Sequence, residues 1–262
     1  MAASLSDAEA LRRADANYGY TFQLMGTHAR GGSVYEESGL VAVITGQIPW
    51  FNVAVVSEKL ADSKASLNRA IDFYRNAGAP FVMRIRVGFE METQRLMQEL
   101  GLEQAERLPG MILNPVGDVP KIPEALTITG WDADSLPDYN EILAASFGLP
   151  LQVMSNLMRP QLLNSLVRGY LGYVDGRPVA TSALVASEGV AGVYNVATLP
   201  DYRSRGLGEA MTWHAIREGL ASGCVIGSLQ ASAMGQSVYA RMGFRNIAPY
   251  ETYMFPAQPA KA

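Results

Sequence analysis

The sequence predicts an α/β fold of the mixed α+β kind, built twice: two similar units, each a mixed sheet with helices on both faces. Self-similarity is the first reason. Asn52-Val53-Ala54 recurs as Asn195-Val196-Ala197 at an offset of 195 − 52 = 143, and Gly101 and Met111-Ile112-Leu113 recur as Gly243 and Tyr253-Met254-Phe255 at 142. The second reason is the stretch 114–123, whose prolines and glycine can continue neither a helix nor a central strand, so the units divide as 1–115 and 124–262. The third is the alternation of short apolar strands with helical patterns along the second unit.

In that unit, 124–130 reads as a strand, and 135–147 and 153–166 as two helices. Strands 170–174 and 179–185 flank Asp175-Gly176, whose two positions suit the positive φ of a tight hairpin, so they pair antiparallel. A strand over 190–198 ends before Pro200, and helix formers run from 207 to 220 until Gly223 stops them. Strand 225–230, helix 235–242 and strand 244–254 complete the unit.

Composition narrows the class of function. The chain of 262 residues is 48% hydrophobic and 18% charged, as expected of a packed globular protein. A formal charge of −4 opposes broad affinity for nucleic acid or anionic membrane. The single cysteine, Cys224, permits neither an intrachain disulfide nor a cysteine-based metal cluster, and no apolar leader or 18-residue apolar run is visible. The expectation is a soluble cytoplasmic protein without a metal, and homo-oligomerisation is compatible with it.

After the strand 190–198 the chain reads Arg203-Ser204-Arg205-Gly206-Leu207-Gly208 and enters a helix. That order aims free backbone N–H groups at an anion, glycine allows close approach, and arginines add forked donors. A P-loop would need Lys and then Ser or Thr where Glu209-Ala210 stand. A dinucleotide fingerprint would need a third small residue at Met211 and an acidic residue near 228–230, where Ser-Leu-Gln occurs. A plain loop before a helix remains the alternative on these residues alone.

Together with Val238-Tyr239-Ala240-Arg241-Met242-Gly243-Phe244, a helix carrying Tyr and then Gly-Phe, this loop resembles the GNAT superfamily of N-acetyltransferases over roughly 127–255. The family pattern Gln/Arg-x-x-Gly-x-Gly/Ala is matched in full. The resemblance implies two mostly antiparallel GNAT-like units and acetyl-coenzyme A as co-substrate. It gives the pyrophosphate to the backbone of Arg205, Gly206, Leu207, Gly208 and Glu209, with Arg203 and Ser204 beside them. Val196, Ala197 and Thr198 would pair with the pantetheine arm. Ser232 stands where many members carry an Asn that touches the arm. The implied activity is acetyl transfer to a primary amine of a small-molecule acceptor by direct attack in a ternary complex; a non-catalytic acyl-coenzyme A sensor or scaffold is the alternative.

Tyr239 also fits on chemistry, since a phenol of pKa about 10 can protonate a departing thiolate of pKa about 8.5. For a general base the candidate is Glu188, at the bend before the strand 190–198. His214 and Cys224 read as packing residues, and His28 gives no signal. The first unit has diverged: Leu60, Ser63 and Ala65 stand opposite Arg203, Gly206 and Gly208, and Met97 stands opposite Tyr239. It reads as a degenerate copy that supports the fold and walls the acceptor pocket.

Overall fold

A computed structural model describes residues 4–87, 91–100, 102, 104–163 and 166–255. The first unit opens with α1 (Asp7–His28), whose N-cap Ser6 accepts from the Glu9 amide three residues on. Then come β1 (Ser33–Glu37), β2 (Leu40–Ile44), β3 (Val53–Val56), α2 (Ser63–Asn76), β4 (Phe81–Arg86), α3 (Met91–Glu99) and β5 (Gln104–Leu113). The second unit is β6 (Thr127–Gly130), α4 (Leu136–Phe147), α5 (Leu151–Leu157), β7 (Val167–Val174), β8 (Arg177–Ser187), β9 (Val190–Thr198), α6 (Leu207–Ala221), β10 (Ile226–Gln230), α7 (Gln236–Arg241) and β11 (Arg245–Phe255).

The expected helix over 153–166 is shorter: α5 stops at Leu157, and a single 3-10 turn, Pro160–Leu162, follows. Pro160 disfavours helical backbone at Arg159 and brings no N–H of its own, so the chain turns out there. Residues 164–165, and Gly101 of the repeat, lie outside the described residues.

All eleven strands form one sheet in the order β1-β2-β3-β4-β11-β5-β10-β9-β8-β7-β6. Pairing is antiparallel except for β3 with β4 and β9 with β10. Each unit's last strand is exchanged: β11 pairs with β4 of the first unit, and β5 pairs with β10 of the second, while β5 and β11 pair with each other at the centre. The chain boundary at 114–123 therefore separates two stretches of sequence that share one continuous sheet.

Helices cover both faces, as expected. On one, Leu67, Ala70 and Tyr74 of α2 pack over Met83 and Ile85, while Ala210, Met211 and Ile216 of α6 pack over Leu184 and Val193. On the other, α1 and α4 bury Tyr18, Phe22, Tyr139 and Leu143. Helix α1 crosses both units: Asn17 donates to the Val185 carbonyl at 2.9 Å and to Ser187 at 2.8 Å, and accepts from the Tyr194 hydroxyl at 2.8 Å.

Candidate active site

Strands β9 and β10 begin as parallel neighbours and then part. They pair only from Ile226 opposite Val190 to Ser228 opposite Gly192; β10 continues by pairing with β5, leaving one edge of β9 open beyond Gly192. A bulge helps to turn it. Asn195, at φ 53°, and Val196 together oppose the single residue Ser182 of β8, and Thr181 Oγ1 donates to the Asn195 carbonyl at 2.8 Å. Leu199 N–H donates to Val179 of β8, so the alternation of a strand turns the backbone groups of Thr198 and Val196 towards the gap. Ala197 is a correction to the expectation: it pairs with Thr181 of β8, which directs its backbone groups away from the gap.

At the end of β9 a 3-10 turn, Pro200–Tyr202, leads into the loop. Ser204 and Gly206 adopt φ of 60° and 75°, and α6 starts at an N-cap glycine that supplies no side-chain bond. Among the described residues the amides from Ser204 to Glu209 find no acceptor, so a cluster of N–H groups and the positive end of a 15-residue helix face outwards. Arg203 and Arg205 are exposed beside it. Arg203 Nε donates to the Thr198 carbonyl at 3.2 Å, and Arg205 donates to the Asp201 carbonyl at 3.0 Å while its guanidinium lies 5.0 Å from the Tyr202 ring centre.

The first unit shows what its copy lost. At the offset of 143, Asp62 stands opposite Arg205, and its carboxylate caps α2 by accepting from the Ala65 amide at 2.9 Å. An internal anion thus occupies the place that a phosphate would take. The gap is closed as well: β3 and β4 stay paired from Val53 opposite Val82 to Val56 opposite Ile85, at positions equivalent to those where β9 stands free. Met97, opposite Tyr239, is fully buried in the core.

Tyr239 lies half-buried on α7, packed with Phe244 on the α6 side of the sheet. Burial raises its pKa above the ordinary phenol value and a hydrogen bond with Thr212 opposes that, so the hydroxyl keeps its proton at neutral pH. Thr212 in turn donates to the carbonyl of Gly208, which ties the phenol to the first turn of α6. Ser232, just past β10, accepts from the Gly235 amide at 3.2 Å and borders the gap.

Glu188 does not join them. It sits at φ 56° in the turn between β8 and β9, at the opposite end of β9 from the loop, with the strand Val190–Thr198, about 26 Å long at 3.3 Å per residue, between them. Its carboxylate lies 3.9 Å from Arg12, and its side chain is half exposed. A solvated hairpin residue at that distance cannot take a proton from an amine near the loop. His214 packs edge-on against Tyr170, with burial lowering its pKa, and burial raises that of Cys224, as suits packing residues.

On the α1 and α4 side, the gap opens into a cavity of about 490 Å³ between the two units. Asn195, Gln230 and Ser232 stand at the gap; Tyr18, Phe22 and Met25 of α1 form one wall, and Trp131, Tyr139 and Leu149 of the second unit another. Its charged lining residues are Arg84 and Glu106, both from the first unit. Sequence reading missed both, although the run Met83-Arg84-Ile85-Arg86 sets a charge on alternate residues of a buried strand, a usable signal.

Residues 143–227, from the end of α4 through the gap and loop to the start of β10, match the family model described as an acetyltransferase (GNAT) domain. That stretch of the chain is similar to a GNAT domain. Solved structures agree with the fold. A GCN5-related N-acetyltransferase from Kribbella flavida matches 94% of this chain and 96% of its own, at 20% identity and a TM-score of 0.72. A tandem GNAT protein from the clavulanic acid biosynthesis pathway matches 98% of each chain at 13% identity and 0.59. A GCN5-related N-acetyltransferase from Sphaerobacter thermophilus matches 88% of this chain and 77% of its own, at 15% and 0.57. No curated protein sequence matches. These likenesses extend over nearly the whole chain and show its fold, a large mostly antiparallel sheet with helices as in those structures. No helix among the described residues is long and apolar enough to cross a membrane.

Proposed function

We propose that the protein transfers an acetyl group from acetyl-coenzyme A to a primary amine of a small molecule. The observation that carries this reading is the pairing of an open strand edge with an uncapped helix start in the second unit, where the first unit has a zipped strand pair and a carboxylate cap. The backbone groups of Val196 and the N–H of Thr198, whose carbonyl accepts from Arg203, suit the amides of a pantetheine arm; the amides of Arg205 to Glu209 suit a pyrophosphate, and Arg203 and Arg205 supply cations beside it.

A thioester seated in the gap meets the cavity on one side of the sheet and Tyr239 on the other. The amine nitrogen, arriving through the cavity, attacks the thioester carbonyl carbon; the carbon–sulfur bond breaks, and the thiolate takes the phenolic proton of Tyr239. With Glu188 out of reach, the proton released by the amine passes to water, and the Tyr239 phenolate regains a proton from solvent before the next turnover. Calorimetry with acetyl-coenzyme A, followed by thiol release in the presence of primary amines, tests the reading. Binding with thiol release is expected; no binding would overturn it, and binding without release under any amine would make the protein a coenzyme sensor.

A further inference from the structure

The first unit has lost its coenzyme gap, yet it supplies both charges of the shared cavity. Arg84 of β4 and Glu106 of β5 each lie directly opposite Thr252 of β11. Directly opposed residues point to one face, so the three side chains rise together, with the backbones of Arg84 and Glu106 two strand spacings, about 10 Å, apart. Arg84 donates to the Tyr18 hydroxyl at 2.9 Å and lies over the Phe22 ring at 5.5 Å, while its Nε is buried without an acceptor. Thr252, at 0% exposure, holds a hydroxyl with no partner among the described residues. Neither Arg84 nor Glu106 is ion-paired among them.

Two opposite charges facing an apolar chamber, with a buried orphan hydroxyl on the strand between them, constitute an unfilled electrostatic demand. A simple anion would be drawn to Arg84 and repelled by Glu106, a simple cation the reverse, and a neutral apolar group would desolvate both without compensation. A dipolar group satisfies both together.

We propose that this end of the cavity is a subsite for the dipolar head of the acceptor, a group such as an α-amino acid that sets its carboxylate on Arg84 and its ammonium on Glu106. The reacting amine then sits at the other end of an apolar spacer, by the gap. This rests on the coenzyme reading of the gap and deepens it by naming the acceptor class.

Four benzylic amines test the subsite on the full-length protein by calorimetry. They are 4-(aminomethyl)phenylalanine, its analogue with only the carboxylate, 3-[4-(aminomethyl)phenyl]propanoate, its analogue with only the second ammonium, 2-[4-(aminomethyl)phenyl]ethylamine, and 4-ethylbenzylamine, which carries neither head charge. The dipolar amine should bind about 10-fold or more tighter than the other three, and Arg84→Met and Glu106→Gln should each erase that advantage. Glu106→Gln keeps the side-chain volume at a half-exposed position, so it decides the matter even where Arg84→Met fails to fold. Equal affinities, no binding of any of the four, or a preference that survives Glu106→Gln would overturn the proposal. Wild-type affinity for acetyl-coenzyme A, measured alongside, reports separately on the coenzyme reading: coenzyme binding without a dipolar preference removes the subsite alone.

Discussion

A β-carbon at position 208 would meet Val196 Cγ1 at 3.7 Å and Thr198 Oγ1 at 3.8 Å, ordinary contacts that the fold tolerates. Gly206 is different, because its φ of 75° would strain any other residue by about 1 kcal/mol. Gly208→Glu is therefore the cleaner probe: it should melt like the wild type and bind acetyl-coenzyme A at least about 100-fold more weakly, since it sets a negative charge where the pyrophosphate is proposed to lie. Wild-type affinity by calorimetry would remove the phosphate assignment. Tyr239→Phe keeps the ring and deletes the proton; kcat should fall about 10²- to 10⁴-fold while the Kd for acetyl-coenzyme A holds. An unchanged kcat, measured where chemistry limits the rate, would rule the phenol out as the acid. At this scale the glycine loop that opens α6 and the short helix carrying Tyr239 were legible because each is written in a local run of residues. Glu188 misled because nearness in sequence to β9 is not nearness to its far end. Asp62 went unread because a capping carboxylate looks like any surface acid until its helix start is known.

Among the elements, α1 carries a buried charge that ties it to the sheet. Asp15, 1% exposed, is paired with Arg86 at 2.7 Å and accepts from the Tyr250 hydroxyl. Burial raises its pKa to about 6 despite these partners. A carboxyl that holds its proton more tightly when folded contributes stability below about pH 4 and loses it as pH rises through about 6. Wild-type Tm should therefore contain a component that declines across that window, and Asp15→Asn should remove it; parallel Tm profiles of the two proteins between pH 4 and 6 would refute the assignment. The strands of the second unit, the hairpin at Asp175-Gly176 and the bounds of β9 followed from periodicity and turn chemistry, which are local. The bulge at Asn195 and the early end of α5 did not, because the first depends on which strand lies alongside and the second on one proline overriding an apolar pattern.

For the whole molecule, the repeat was legible as two stretches of sequence, but the exchange of β5 and β11 was not, because strand pairing across units leaves no trace in either unit's own periodicity. Residues 124–262 produced alone would carry β10 with an open edge and β11 without either neighbour. That piece should fail to give a cooperative melt as a monomer, and adding residues 1–115 should restore one; a stable monomeric 124–262 would contradict it. Covalent continuity matters less than this weave. Lys121 lies exposed in the connection between the units, and a single tryptic nick after it would cut the chain into two peptides that still hold each other by a strand apiece, so that they travel as one particle until denaturant pulls the sheet apart.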